Sequence, residues 1–158
     1  MSEIKFNLYN DSDQHAKGFK EINARWIEHY FGLEDIDLKY LDNPKSEILN
    51  KGGFIYIAES GNDVVGTCAM IKMDNPEFDF ELAKMGVDDQ FRGLGIGRKL
   101  AELCIQHAKE IGAKKIYLES NSKLKAALGL YSSLGFIPTE DYQSPYCRCD
   151  VQLQLSIS

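Results

Sequence analysis

Met85-Gly86-Val87-Asp88-Asp89-Gln90-Phe91-Arg92-Gly93-Leu94-Gly95-Ile96-Gly97-Arg98-Lys99-Leu100 reads as the end of a strand, a short turn, a glycine-rich loop and the first turn of a helix. Gly93, Gly95 and Gly97 remove the side chains that would keep a ligand from the backbone. Leu100, Leu103, Cys104, Ala108 and Ile111 stand at helical spacing and predict a helix over residues 96–111. The first amide groups of such a helix have no partner inside it, and its dipole is positive there, so an anion fits. Arg92, Arg98 and Lys99 add positive charge in a chain whose formal net charge is −6. A diphosphate is the natural guest.

The spacing discriminates among diphosphate loops. A dinucleotide fingerprint asks for G-x-G-x-x-G, whereas here the glycines give G-x-G-x-G followed by Arg98. A P-loop asks for Gly-Lys-Ser/Thr after four spacers, which is missing. Gln90-x-Arg92-Gly93-x-Gly95-x-Gly97 instead resembles the acetyl-CoA pyrophosphate loop, Q/R-x-x-G-x-G/A, of the GNAT superfamily of acyl-CoA-dependent N-acetyltransferases. Downstream, Ala127-Leu128-Gly129-Leu130-Tyr131-Ser132-Ser133-Leu134-Gly135-Phe136 resembles that family's A-x-x-L-Y-x-x-x-G-F helix and strand. The two motifs occur in the family's order with a strand between them, and together they span the C-terminal half of the chain.

Length and composition bound the rest. The 158 residues make most simply one domain, residues 1–158, long enough to bury a sizeable core. A hydrophobic content of 44% with 27% charged residues suits a globular protein rather than a disordered one. No run approaches the ~20 apolar residues of a membrane span, and the opening Met1-Ser2-Glu3-Ile4-Lys5 lacks the order of a secretory signal. The expected location is cytoplasmic. Cys68 and Cys104 lie in apolar patterns and read as core residues. Cys147-x-Cys149 lacks a second ligand pair, and His15, His29 and His107 are scattered, so no metal site is expected. An acidic chain, with a pI near 5.1, argues against nucleic acid as a partner and is compatible with a cationic amine.

In chain order, 4–8 alternates as a strand. Asn10, Asp11, Ser12 and Asp13 offer an N-cap for a helix reaching Phe31, with Ala16, Phe19, Asn23, Trp26, Ile27 and Tyr30 on one stripe. Residues 35–41 and 44–49 read as short helices. Residues 54–59 and 64–72 form a hairpin around Ser60, Gly61, Asn62 and Asp63. Residues 78–87 read as a strand whose parity breaks, implying a bulge at Met85 and Gly86. A strand at 115–119, a helix at 123–134 capped by Ser122, a strand from Phe136 and a last strand at 148–157 complete the order. The implied fold class is α/β of mixed α+β type, with a mixed sheet of six to seven strands and flanking helices. The resemblance implies a GNAT-like fold in which parallel central strands, here 78–87 and 115–119, splay apart around the cofactor.

The resemblance also assigns roles. Acetyl-CoA is the implied cosubstrate. Arg92, Gly93, Leu94, Gly95, Ile96, Gly97 and Arg98 would hold its pyrophosphate, and Met85, Gly86 and Val87 its pantetheine arm. The family often carries an asparagine where this chain has Leu124, and Asn121, at the preceding strand-to-helix turn, is the candidate replacement. Lys123 and Lys125 stand within reach of nucleotide phosphates. Glu81 is the candidate base for the incoming ammonium, with Glu119 in reserve. Tyr131 is the candidate acid for the leaving thiolate, because a phenol with a pKa near ~10 keeps its proton at neutral pH. Trp26, Tyr30, Phe31, Tyr142, Tyr146 and Arg148 are candidate walls for the acceptor, with Arg148 suited to grip a carboxylate. The acceptor would be a small-molecule or peptide amine. Homodimers are common in the family, which makes a homodimer possible here, although the sequence itself does not reveal the oligomeric state. The competing expectation is a catalytically silent CoA-binding regulatory domain of the same fold.

The loop reading makes a direct prediction. Acetyl-CoA and CoA, each at about a hundred times its dissociation constant, should raise the unfolding free energy by about 2.7 kcal/mol in a thermal-shift series, and NAD should leave it unchanged. A response to NAD alone would overturn the reading.

Overall fold

The periodicities of the chain are realised in a computed structural model that describes residues 3–140 and 143–158. The elements run β1 (Ile4–Leu8), α1 (Asp13–Tyr30), α2 (Asp35–Asp42), a π-helical turn (Lys45–Leu49), β2 (Phe54–Ser60), β3 (Asp63–Lys72), β4 (Phe80–Val87), a 3₁₀ turn (Asp89–Phe91), α3 (Ile96–Glu110), β5 (Lys115–Ser120), α4 (Lys125–Ser133), β6 (Ile137–Pro138) and β7 (Val151–Ser156). All seven strands join one sheet in the order β1-β2-β3-β4-β5-β7-β6. Its only parallel neighbours among the described residues are β4 and β5.

Alternation along the central strands loads both faces of the sheet. Cys68, Met70, Phe80 and Leu82 pack with Ile96, Leu100, Ala101 and Cys104 of α3. Ile55, Ile57, Ala69 and Ile71 pack with Phe19 of α1 and Leu41 of α2. The molecule is thus three layers, with α1 and α2 on one face and α3 on the other. The stripe on α1 is shifted from the expected one: His15, Phe19, Ile22, Asn23 and Ile27 are buried, while Tyr30 is exposed. Ser12 caps the helix as expected, its hydroxyl accepting the His15 N–H at 3.2 Å.

Three boundaries differ from the sequence reading by two residues or more, each where a polar side chain is used elsewhere. β4 starts at Phe80 because Asp79 turns aside to accept the N–H groups of Lys114 and Lys115 at 2.7 and 3.0 Å. Helix α4 starts at Lys125 and not at 123, and Ser122 does not cap it. The N–H and hydroxyl of Ser122 both bind Asp150, each at 2.8 Å. That contact and the ion pairs of Arg148 hold 148–150 off the ladder, so β7 starts at Val151.

Helix α3 lies close on β3 because Gly66 has no side chain. A Cβ there would stand 2.9 Å from Ile96 Cγ2 and 3.0 Å from Leu100 Cδ1. Gly66→Ala should therefore cost about 1–3 kcal/mol through overpacking, read as a lower midpoint with unchanged slope in urea unfolding.

Candidate active site

Strands β4 and β5 are paired only at Phe80↔Ile116 and Glu81↔Tyr117. Beyond those registers they part, and the gap opens into a cleft of about 600 Å³. Met85, Gly86 and Val87 form one wall, Arg92, Gly93, Gly95, Ile96, Gly97 and Arg98 the end, and Leu124, Leu130 and Tyr131 the other side. Gly93 and Gly95 take φ of +78° and +77°, a conformation open to glycine, and a Cβ at either would meet nothing within 4 Å. The loop thus presents bare backbone beside the unpaired amides of the first turn of α3. Arg98 is hydrogen-bonded to the Ser133 hydroxyl, and Arg92 pairs with Asp89 at 2.9 Å. Lys123 and Lys125 also line the cleft, whereas Leu94 is outside the lining and 54% exposed.

The bulge that turns β4 toward the cleft lies one residue earlier than expected. The β3–β4 register slips between Thr67 and Ala69, and Lys84 holds a φ of +50°. That conformation strains a side-chain-bearing residue, and two anchors hold it. The Thr67 hydroxyl donates to the Lys84 carbonyl at 2.9 Å. Thr67 in turn accepts from Asn23 Nδ2 at 3.0 Å, and Asn23 Oδ1 accepts from Trp26 Nε1 at 3.0 Å. The Lys84 ammonium donates to Asp37 Oδ1 at 2.8 Å and to the Tyr146 hydroxyl at 3.1 Å. Arg148 grips the same carboxylate with both arms, at 2.7 and 2.6 Å, and reaches Glu34 at 3.2 Å. Burial alone would raise the Asp37 carboxyl. Arg148 and Lys84 outweigh it and hold the group at about 2.

A smaller cavity of about 60 Å³ adjoins the cleft, sharing Trp26, Ala83, Lys84, Glu119, Ser120 and Leu124 with it. Glu81, Phe31, Tyr146 and Arg148 complete much of its wall. Burial, reinforced by the charge of Glu119, pushes the Glu81 carboxyl up to about 8, against the pull of Lys84 and Arg148. Glu119 accepts the Tyr117 hydroxyl and the Ser144 hydroxyl, both at 2.7 Å. Tyr131 lies on the cleft side, buried, and burial raises its phenol so that it stays protonated. Among the described residues no three His, Cys, Asp or Glu side chains gather to hold a metal ion, and no helix is long and apolar enough to cross a membrane.

A sequence model of the Acetyltransferase (GNAT) family matches residues 18–136. The chain belongs to that family. It is 35% identical over 101 residues to human N-acetyltransferase 8B, covering 62% of this chain and 44% of that protein. It is 36% identical over 92 residues to the uncharacterized N-acetyltransferase YjgM of Escherichia coli strain K12, covering 57% of this chain and 55% of that one. The chain thus spans about half the length of the curated relatives it matches. A GNAT-family acetyltransferase from Staphylococcus aureus Mu50 superposes with a TM-score of 0.87 at 27% identity, over 99% of this chain and 100% of that one. A Salmonella typhimurium putative acetyltransferase, YncA, solved with its cofactor acetyl-CoA, shares the fold at a TM-score of 0.75 and 21% identity, over 98% and 94%.

Within this GNAT fold the two halves of the expected site come together unequally. The loop residues other than Leu94, with Met85, Gly86, Val87 and Tyr131, share the large cleft, and Glu81 faces the adjoining cavity. Asn121 is drawn away: its Nδ2 donates to the Arg148 carbonyl at 2.7 Å and its Oδ1 accepts the Lys123 N–H at 2.9 Å. It lines the small cavity, and Leu124 takes the cleft position. Tyr30 lines the cleft, Phe31 the cavity and Trp26 both. Tyr142 lies outside the described residues. Arg148 does not present a free fork for a substrate carboxylate, since Asp37 occupies it. Asp37, Lys84 and Thr67 were not legible as site residues. The one local signal was a lysine that interrupts the apolar order of β4.

The loop geometry sets an anion test with strain held constant. Asn and Asp both tolerate positive φ and have the same shape, so Gly95→Asn and Gly95→Asp differ in charge alone. Calorimetric titration should show acetyl-CoA binding at least about tenfold weaker in Gly95→Asp than in Gly95→Asn, a difference of about 1.4 kcal/mol.

Proposed function

We propose that the protein moves an acetyl group from acetyl-CoA to the primary amine of a small molecule or peptide by direct attack. The observation that carries this reading is a proton acceptor and a proton donor in adjoining spaces: Glu81 lines the small cavity, and Tyr131 lines the cleft that shares part of its wall. The acetyl-CoA-bound Salmonella relative supports the cosubstrate.

At pH 7 an alkylamine with a pKa near ~10.4 is free base only about once in a few thousand molecules, so the ammonium proton must be removed. Glu81, in the fraction of molecules where it is ionised, takes that proton first, and the free amine then attacks the thioester carbon. The charge that develops on the carbonyl oxygen meets N–H groups freed by the bulge on β4. The carbon–sulfur bond breaks, Tyr131 gives its proton to the thiolate, and the second proton that the nitrogen sheds on becoming an amide restores the Tyr131 phenol by way of solvent. Lys84 and Arg148 are already paired with Asp37 and Glu34, which leaves Glu81 and Glu119 without a cationic partner among the described residues. That balance favours a cationic acceptor at this wall over one bearing a carboxylate.

Turnover on an amine panel, followed by release of the CoA thiol, tests the reading. Binding of CoA without thiol release would favour the silent regulatory domain. The protonation chemistry adds two expectations. Glu81 accepts a proton only when ionised, so kcat/KM should fall as pH drops through about 8, and Glu81→Gln should flatten that limb without loss of acetyl-CoA binding. Tyr131→Phe should keep acetyl-CoA affinity and lower kcat by about 10²-fold or more in steady-state kinetics.

A further inference from the structure

Asp37 is the place where the two halves of the site meet. Its side chain is fully buried, as is nearly all of Lys84, and the two are 2.8 Å apart although they lie on α2 and β4. Lys84 is the residue whose left-handed backbone creates the bulge beside the cleft. Arg148, on the other side of the same carboxylate, forms the wall of the small cavity together with Tyr146, over whose ring its guanidinium stacks at 4.4 Å. Asp37 Oδ2 also accepts the Glu34 N–H at 2.9 Å, which ties the carboxylate to the start of α2. One rigid group therefore sets the bulge against the acceptor wall.

We propose that Asp37 is a positioning residue for acetyl transfer, aligning the β4 bulge with the acceptor wall through Lys84 and Arg148. The proposal rests on the acetyltransferase reading above. Asp37 lines neither the cleft nor the small cavity, and its effect passes through Lys84 and Arg148. A buried ammonium held in a strained conformation has few other ways to stay in place. Without the carboxylate it is an uncompensated buried charge, and the bulge can relax toward a regular ladder. The second anchor, from Thr67 to the Lys84 carbonyl, acts on the same backbone from β3 and is independent of charge.

Three variants separate alignment from plain stability. Asp37→Asn keeps size and the helix cap but removes the charge. Asp37→Asn with Lys84→Met removes both charges of the fully buried pair and leaves Arg148 its ion pair with Glu34, so part of the stability lost in Asp37→Asn returns. Thr67→Val removes the other anchor at constant shape. The readouts are Tm, the dissociation constant for acetyl-CoA, and kcat on an amine accepted by the wild type. The expected result is that kcat falls by about 10- to 100-fold in all three, including the double variant whose Tm recovers, while acetyl-CoA affinity stays within about twofold. If kcat recovers together with Tm in the double variant, or stays at the wild-type level in Thr67→Val, Asp37 is merely structural and the proposal falls. If Asp37→Asn does not fold, the double variant and Thr67→Val decide alone. Absence of thiol release from the wild-type protein on every amine would instead defeat the acetyltransferase reading itself, and this inference with it.

Discussion

The site depends on the early end of one hydrogen-bond ladder. β4 and β5 run parallel for two registers and then separate, although both continue for several residues. A sheet that stays paired leaves no room between neighbouring strands, which lie about 4.8 Å apart. The bulge at Lys84 lies three positions past the last β4–β5 register, while β4 stays paired with β3 through Val87, and the glycine-rich loop follows from the end of β4. A cleft at the C-terminal ends of parallel strands follows the general rule for open α/β sheets.

The left-handed conformation of Lys84 explains where the buried polar groups are. Nearly every one in this region serves Lys84 or a partner of Lys84: Thr67 and Asn23 on one side, Asp37, Tyr146 and Arg148 on the other. Asn23 and Thr67 are fully buried, yet each is hydrogen-bonded, so the chain across the core leaves no unmet group of its own. The charged branch is costlier to bury, and its members compensate one another. Glu81 stands outside this compensation, and its carboxyl is correspondingly the one pushed upward.

The parts of the fold that were legible in the sequence rest on local signals. The glycines at 93, 95 and 97, the helical spacing from Ile96, and the turn residues at 60–63 act within a few positions, and the structure has a loop, α3 and a hairpin there. The helix and strand around Tyr131 follow in the same way. What escaped the reading links distant positions. Asp37 and Lys84 are 47 residues apart, and Asp37 and Arg148 are 111 apart. No periodicity records such a pair. Ser122 looked like a cap because serine before a helix commonly is one, but Asp150 claims it from across the chain. Asn121 sits at the turn where it was expected, and a carbonyl 27 residues onward decides which way it points. The raised carboxyl of Glu81 is equally non-local, since it comes from burial and from Glu119 on the neighbouring strand.

Trp26 is the single tryptophan of the chain. Its indole N–H begins the run of donors that ends on the Lys84 carbonyl, and its ring faces both the cleft and the small cavity. The protein therefore carries an intrinsic optical probe at the junction of its two compartments. The emission maximum of an indole follows the polarity around it, and its intensity follows nearby quenching groups. Light from this one residue responds to the filling of either compartment and to any loosening of the bulge, without a label and without a second tryptophan to mask it.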